Sequence, residues 1–336
     1  MKTIRTQDAV GMPLAHDLTQ IIPGEYKGAR FKKGHIVTEE DIPVMLSMGK
    51  EHLYVLELDA DDVHEDEAGQ RIAQAAAGAN VTLKPKGEGK VELMAACRGV
   101  LRVDRDKLLE LIDDDEIMFA TIGGNQLVEP GQLLAGTRVI PLYVSEQTVA
   151  RAESVRDVIH VDPLHPARVG IVTTGSEIYH GLIEDKFGDI LRRKFAALGC
   201  EVVGQVFSDD DEQMIADCIH QMITQGANFI AVTGGMSVDP DDRTPAGIRR
   251  AGTEIVTYGA PVLPGAMFLL GYLDDVPVVG LPGCVMYHGA SVFELVVPRL
   301  LAGERVDRRA IKLLGHGGLC RNCPQCSYPN CGFGKG

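Results

Sequence analysis

Residues 168–178, RVGIVTTGSEI, begin with an apolar run of strand length and end in a glycine-containing turn. The same arrangement recurs at NFIAVTGGMS (228–237) and at PVVGLPGCVM (277–286). Apolar residues at three- and four-residue steps predict helices between these stretches, for example over DEQMIADCIHQMITQG (211–226). Strands that alternate with helices form a mostly parallel sheet with helices on both faces. We therefore predict a three-layer α/β/α sandwich for residues 166–306.

The rest of the chain predicts a smaller mixed α+β region before this domain and a short tail after it. Residues 1–60 combine strand patterns with one short helix, which indicates a small β-rich domain, and residues 61–165 mix helix and strand signals. The first 150 residues or so show no constellation of chemically active side chains, so we expect a scaffold or an oligomer contact there. Residues 285–303 are mostly apolar and predict one closing helix. Residues 307–336 form a cysteine-rich tail.

Composition excludes several classes of partner. The chain has 336 residues, of which 45% are hydrophobic, and a formal net charge of −14. A protein that binds nucleic acid needs an excess of Lys and Arg, so nucleic acid is not expected as a main partner. No apolar run reaches the roughly 20 residues of a membrane span, and the N-terminus lacks the apolar core of a secretory signal. We expect a cytoplasmic protein with no membrane partner.

The three glycine turns are expected to converge, because the carboxyl ends of parallel strands lie at one edge of a sheet. Glycine lets backbone N–H groups approach anionic oxygens, and the hydroxyls of Thr174 and Ser237 can add donors. Acidic residues after the second turn, at 239, 241 and 242, indicate a divalent cation beside a phosphate. Taken singly, such a glycine most often forms only a turn, and the aspartates favour a helix-capping loop. The ordered set of three turns is the more specific signal.

These segments resemble, in order and spacing, the molybdopterin-binding domain shared by molybdopterin molybdotransferases and molybdopterin adenylyltransferases. The resemblance covers residues 168–303, where the family's fold is a three-layer α/β sandwich. The matching pieces are TTGSEI (173–178), IEDKFGDIL (183–191), SDDDE (208–212), VTGGMSVDPDD (232–242), PG (264–265) and LPGCVMY (281–287).

The resemblance implies a role for individual residues. The acids expected to be catalytic, near the ligand or its metal, are Asp185 and Asp242. The residues expected to bind the pterin cofactor and its phosphate are Thr174, Gly175, Ser176, Glu177, Gly234, Gly235, Ser237, Asp239, Pro282 and Gly283.

The resemblance also implies a function in molybdenum cofactor biosynthesis. In the molybdotransferases, molybdate replaces the adenylyl group of adenylated molybdopterin with the help of Mg²⁺, which polarises phosphoryl oxygens. The expected partners are therefore molybdopterin or its adenylated form, molybdate, a second copy of the chain in a homodimer, and a molybdoenzyme apoprotein.

Four departures from the family pattern lead to a second hypothesis. Ser176 replaces an Asp, Asp239 replaces a Gly, Cys284 replaces an Asn, and residues 263–267 lack the lysines that usually surround the PG pair. These changes favour a non-catalytic molybdopterin carrier or sensor, whose cysteine tail responds to metal or redox state. A third reading, a nucleotide hydrolase of the competence-damage type, is disfavoured because those relatives place this domain first in the chain.

The tail carries four thiols in a CxxCxxCx4C pattern within 12 residues, at Cys320, Cys323, Cys326 and Cys331. Soft thiolate ligands indicate an iron–sulfur cluster or Zn²⁺. The compact run with proline favours a cluster, and the knuckle-like CPQC favours zinc. A disordered redox-active tail is the remaining alternative. The other cysteines, Cys97, Cys200, Cys218 and Cys284, lie in apolar segments and are expected to be buried thiols.

Overall fold

The computed structural model describes residues 2–22, 26–55, 61–236 and 242–336 of the chain. Four clusters of buried apolar side chains organise the fold. One lies within residues 9–55, one within residues 63–161, and two lie on opposite faces of the C-terminal sheet. The domain boundaries expected after residues 60, 165 and 306 stay predictions.

The N-terminal part holds two small antiparallel pairs of strands, β1 with β4 and β2 with β3. One helix packs with them around the buried side chains of Leu14, Met45 and Leu53. The elements are β1 (Lys2–Arg5), a 3₁₀ turn (Thr6–Asp8), β2 (Leu18–Ile22), β3 (Tyr26–Phe31), α1 (Asp41–Ser47) and β4 (His52–Val55).

The middle part is a mixed α+β region, as predicted. The elements are β5 (Asp62–His64), α2 (Glu65–Ala76), β6 (Val81–Gly87), β7 (Lys90–Ala95), β8 (Gly99–Val103), α3 (Arg105–Leu111), β9 (Ile117–Thr121), β10 (Leu127–Val128), β11 (Leu133–Val139), β12 (Tyr143–Ser145), α4 (Glu146–Ser154) and β13 (Ile159–Pro163). Its largest sheet is antiparallel, in the order β6-β7-β11-β9. Arg71 on α2 bonds Glu146 and Glu153 of α4 at 2.6 and 2.7 Å and so fixes the two helices together.

The C-terminal part contains a six-stranded sheet in the order β15-β14-β16-β19-β18-β17. The elements are β14 (Arg168–Thr174), α5 (Ser176–Tyr179), α6 (Phe187–Ala197), β15 (Glu201–Ser208), α7 (Glu212–Thr224), β16 (Phe229–Thr233), α8 (Thr244–Arg250), β17 (Glu254–Tyr258), β18 (Leu269–Leu273), β19 (Val276–Leu281), α9 (Cys284–Tyr287), α10 (Val292–Leu301) and α11 (Arg308–Leu313). The first four strands in the sheet order are parallel, and β18 is antiparallel to both of its neighbours, β19 and β17.

Helices cover both faces of this sheet. On one face, Phe195 of α6 makes edge-on contacts with Phe229 of β16 and Phe293 of α10, at ring-centre distances of 5.4 and 5.1 Å. On the other face, Ile219 of α7 packs in a cluster with Val232 of the sheet. The predicted three-layer α/β/α sandwich is confirmed. Because both faces are covered, the central strands are apolar along their length rather than alternating.

The structure corrects two details of the sequence prediction. The single helix predicted over residues 285–303 is two helices, α9 and α10. The backbone is extended at His288 and again at Ser291, whose side chain and Glu294 form a capping box that begins α10. Strands β17 and β18 were not predicted. Among the described residues, no helix is long and apolar enough to cross a membrane.

Candidate functional site

The three glycine turns lie side by side at one edge of the C-terminal sheet. Strand β16 is hydrogen-bonded to β14 on one side and to β19 on the other, all parallel. Thr173 is in register with Thr233, and Thr233 is in register with Leu281, so the three strands end together. The convergence expected from the sequence is therefore present. Strand β15 ends at the same edge, because its Ser208 is in register with Thr174.

Thr174 joins the first turn to the second and to the start of α8. Its hydroxyl donates to the carbonyl of Thr233 at 3.1 Å and lies 2.7 Å from the hydroxyl of Thr244. All three threonines are buried, with at most 1% of their surface exposed. The structure thus gives this hydroxyl protein partners that hold the turns together, and the binding role expected for Thr174 stays a prediction.

Neighbouring atoms leave no room for a side chain at the two glycines of the second turn. A Cβ at Gly234 would lie 2.1 Å from the carbonyl oxygen of Thr174, and Gly234 has a φ of +89°. A Cβ at Gly235 would lie 2.6 Å from the hydroxyl of Thr244. Only glycine allows the first and second turns to approach this closely.

Ser176 bridges the first turn to two acids that follow β15. Its backbone N–H donates to Asp210 at 2.9 Å, and its hydroxyl donates to Asp209 at 2.5 Å and to Asp210 at 3.0 Å. The hydrogen bond from Ser176 is the main cause of the lowered pKa of Asp209, and the bond from the backbone N–H of Asp210 is the second cause. Asp209 also lies 3.3 Å from the imidazole of His180.

Asp209 and Asp210 were not among the predicted site residues. Their signal in the sequence is the SDDDE run at the end of β15, which the family resemblance included without a role for each acid. The third acid of that run, Asp211, caps α7 by accepting from the backbone N–H of Met214 at 2.8 Å.

Asp185 lies at the start of α6 and is held by several donors. Its carboxylate accepts from the backbone N–H groups of Phe187 at 2.8 Å and Gly188 at 3.1 Å. The side-chain amide of Gln205 donates to it at 2.6 Å and also to the hydroxyl of Thr173 at 2.9 Å. Asp185 is therefore a helix-capping residue that is connected through one side chain to the edge of the sheet.

The remaining predicted residues surround the same edge. Gly175 has a φ of +130°, Glu177 is exposed, Pro282 is buried and Gly283 is exposed. Burial is the main cause of the raised pKa of Tyr258, and the charge of Asp242 is the second cause. The hydroxyl of Tyr258 donates to the carbonyl of Met236 at 3.1 Å. The charge of Asp242 thus acts on Tyr258, and Tyr258 contacts the second turn at Met236. The predicted residues Ser237 and Asp239 lie outside the described residues.

The four tail cysteines line one cavity of about 730 Å³ together with Tyr287, His288 and Gly289. All four carry free thiols. Gly289 lies in the loop that continues from the third turn, and a Cβ there would approach the Sγ of Cys326 to 3.1 Å. The tail is therefore packed against the loop that follows the site. Of the other cysteines, Cys200 and Cys218 are buried as expected, whereas Cys97 and Cys284 are half-buried.

Sequence comparisons find a known family over the residues that form this edge. Residues 170–302 match a family described as "Probable molybdopterin binding domain", and residues 3–57 match a domain of unknown function. A molybdopterin molybdenumtransferase of Synechococcus elongatus is 28% identical over 115 residues, which are 32% of this chain and 28% of the relative. A CinA-like protein of Syntrophus aciditrophicus is 33% identical over 84 residues, which are 25% of this chain and 20% of the relative. The chain thus spans less than a third of the length of either curated relative.

Two solved structures align with parts of the chain at low TM-scores. The tungsten cofactor synthesizing protein MoaB of Pyrococcus furiosus gives a TM-score of 0.34 at 18% identity, over 42% of this chain and 98% of that one. The molybdopterin biosynthesis moea protein of Pyrococcus horikosii gives 0.34 at 18% identity, over 75% of each chain. Residues 170–302 therefore match the family described as probable molybdopterin-binding domains, and the match covers less than half of the chain.

Proposed function

We propose that the chain is a molybdotransferase-like enzyme of molybdenum cofactor biosynthesis, which inserts molybdate into adenylated molybdopterin with Mg²⁺. The observation that carries the proposal is the meeting of the three glycine turns at the ends of β14, β16 and β19. The family match over residues 170–302 supports a ligand of the molybdopterin type at this edge. We further propose a homodimer, a cytoplasmic location and delivery to a molybdoenzyme apoprotein.

The donors at the edge fit an anionic ligand. Positive φ values at Gly234 and Gly235, +89° and +48°, allow consecutive backbone N–H groups to point in a common direction toward a phosphate. The short helix after Gly175 and the exposed Gly283 extend this rim to the neighbouring turns. In this arrangement the backbone binds the phosphate, and the threonine hydroxyls behind it hold the turns in place.

The acids at the edge fit Mg²⁺, which prefers oxygen ligands. Asp209 is a charged carboxylate at neutral pH, like any aspartate of ordinary pKa, and the bond from Ser176 lowers its pKa further. The described residues contain no group of three or more acidic, His or Cys side chains that could hold a metal ion. Mg²⁺ is therefore expected to use one or two protein carboxylates, from Asp209, Asp210 or Asp242, and the phosphates of the substrate. When bound, it would supply Lewis-acid polarisation of the phosphoryl oxygens.

Asp185 and Asp242 are the proposed catalytic acids. The charge of Asp242 acts on Tyr258, which contacts the second turn at Met236. Asp185 is connected to Thr173 at the end of β14 through Gln205. In the proposed reaction the leaving group is AMP, so both residues are tested by its release.

A carrier or sensor of molybdopterin is the second candidate, and two observations favour it. Residues 263–267 contain no lysine, so this part of the edge lacks the charge-assisted phosphate contacts of the family. The cysteine tail packs on the loop after the third turn, where a change in the tail could alter the ligand site. We also propose that the tail cysteines bind an iron–sulfur cluster or Zn²⁺.

Titration of the full-length protein with molybdopterin and with adenylated molybdopterin tests these functions. AMP release that requires both Mg²⁺ and molybdate supports the enzyme. Tight binding without release supports the carrier, and absence of pterin binding overturns both. Asp242→Ala should abolish AMP release, whereas Asp217→Ala, on the exposed face of α7, should leave it intact. Undiminished release in Asp242→Ala would show that this residue is not catalytic.

A further inference from the structure

The four cysteines of the tail belong to a folded segment. Strand-like pairing fixes its start, because the N–H of Leu263 donates to the carbonyl of Gly318 and the N–H of Cys320 donates to the carbonyl of Leu263, both at 2.8 Å. Its end is fixed by Phe333, which is 4% exposed and contributes to the core on one face of the sheet. The alternative of a disordered tail therefore does not fit the structure.

Tyr328 anchors the middle of the segment. Its hydroxyl donates to the carbonyl of Glu294 on α10 at 3.2 Å, and its ring packs edge-on against Phe333 at 6.1 Å. The cysteines at 326 and 331 are thus carried on either side of a fixed aromatic residue.

The cavity lined by these cysteines has the chemistry of a soft-metal site. No Asp or Glu is among the described residues that line it, and Arg321 is its basic residue. The backbone N–H of Asn322 donates to the Sγ of Cys320 at 3.4 Å, the kind of bond that stabilises a metal-bound thiolate. Hard cations such as Mg²⁺ need oxygen ligands and are disfavoured here.

Zinc and a cluster place different demands on the four sulfurs. A tetrahedral zinc site requires four sulfurs about 2.3 Å from one metal. In a cubane cluster each thiolate binds a different iron, so the sulfurs stand further apart. Among the described residues, no group of three or more His, Cys, Asp or Glu side chains is placed to hold a metal ion, so either metal group would have to draw the thiols together on binding. All four thiols line one cavity of about 730 Å³, and their spacing in the sequence favours the cluster.

We propose that Cys320, Cys323, Cys326 and Cys331 bind a [4Fe–4S] cluster. The two-residue gaps between the first three match the spacing of ligands in bacterial ferredoxin-type runs. Four residues separate Cys326 from Cys331, and the fold brings both cysteines to the same cavity. The cluster would lie against Gly289, in the loop between α9 and α10, next to the pterin-binding edge but separate from it. This assignment does not depend on the proposed transferase activity.

Metal analysis of the full-length protein, purified without oxygen and reconstituted with iron and sulfide, tests the site. We expect about four irons and four acid-labile sulfides per chain, a broad absorption band near 400 nm that bleaches on reduction, and an electron paramagnetic resonance signal in the reduced state. Two irons with two sulfides would overturn the cubane assignment. One zinc per chain without iron, or no bound metal, would overturn the cluster altogether.

Cys326→Ala tests the ligand assignment, and Cys97→Ala is its matched control. Cys97 is half-buried in the middle part of the chain and outside the cavity. We expect loss of most of the iron in Cys326→Ala and full iron content in Cys97→Ala. Far-ultraviolet circular dichroism of each variant checks that it is folded. A folded Cys326→Ala protein with full iron content and an unchanged spectrum would exclude Cys326 as a ligand.

Discussion

The hydroxyl of Thr174 lies 2.7 Å from the hydroxyl of Thr244 in the buried space between the first glycine turn and the start of α8. These residues are 70 positions apart in the sequence, and each has no more than 1% of its surface exposed. The pair holds the first turn against the second, since Thr174 also donates to the carbonyl of Thr233. The geometry of the candidate pterin site therefore depends on a buried polar contact between side chains of the protein.

Thr174→Val should test this contact, because it removes the hydroxyl and keeps the shape. It leaves the buried oxygens of Thr233 and Thr244 with one partner fewer, which costs about 1–3 kcal/mol. We expect a lower free energy of unfolding in urea and weaker molybdopterin binding. Thr224→Val is the control, since its hydroxyl bonds the carbonyl of His220 on an exposed helix face. Equal effects of the two substitutions would contradict the role given to Thr174.

Gly234→Ala should disrupt the second turn by a steric clash. The new Cβ would lie 2.1 Å from the carbonyl oxygen of Thr174, so the turns must separate. We expect loss of pterin binding in an equilibrium titration. Gly303→Ala is a matched control in the same domain, because Gly303 has a φ of +84°, similar to that of Gly234, but no atom within 4 Å of its added Cβ. Both variants carry backbone strain, and only the first should lose the ligand.

Ser176→Ala should raise the pKa of Asp209 toward 3.8, because the Ser176 hydrogen bond is the main cause of its lowered pKa. A carboxylate with a lowered folded-state pKa adds stability above its unfolded pKa and loses it as the pH falls through the folded value. The wild-type protein should therefore have a higher free energy of unfolding than Ser176→Ala at neutral pH, and this difference should become smaller as the pH falls. Nuclear magnetic resonance titration of Asp209 measures the shift directly. Ser154→Ala, which removes an exposed hydroxyl bonded to Arg151, should leave this titration unchanged.

Asp185→Asn separates a catalytic role from a capping role. Asparagine still accepts from the N–H groups of Phe187 and Gly188 and caps a helix about as well as aspartate, but it carries no charge. If Asp185 acts in catalysis, AMP release should fall by roughly 100-fold or more while unfolding changes little. Release at the wild-type rate in a stably folded variant would leave only the capping role.

Gly289→Ala tests whether the cysteine tail and the pterin-binding edge influence each other. Its Cβ would lie 2.9 Å from the Cβ of Cys326, so either the loop after α9 or the cysteine must move. We expect reduced iron content after reconstitution and a weaker molybdopterin affinity. Gly332→Ala, in the same tail but with no atom near its added Cβ, should change neither. Reduced iron with normal pterin affinity would show that the two sites are independent.

The sequence alone determined the layered architecture of the C-terminal domain and the positions of its three turns. Hydrophobic periodicity is local, and in a parallel sheet it carries the further consequence that every strand ends at the same edge. The order of the pieces was enough to indicate the molybdopterin-binding family. The antiparallel strands β17 and β18 and the break between α9 and α10 were missed, because the short apolar runs at 254–258 and 269–273 and the capping box at Ser291 are weaker local signals.

Only the tertiary structure decided which side chains meet. It placed Asp209 and Asp210 on Ser176, turned the hydroxyl of Thr174 toward Thr244, and brought all four tail cysteines to one cavity beside Gly289. These partners are separated by 33 to 70 residues in the first two cases, and the pairing depends on strand order, which local patterns do not encode. The sequence identified most of the residues at this edge but not Asp209 and Asp210, and packing of the strands and helices determined which side chains lie together.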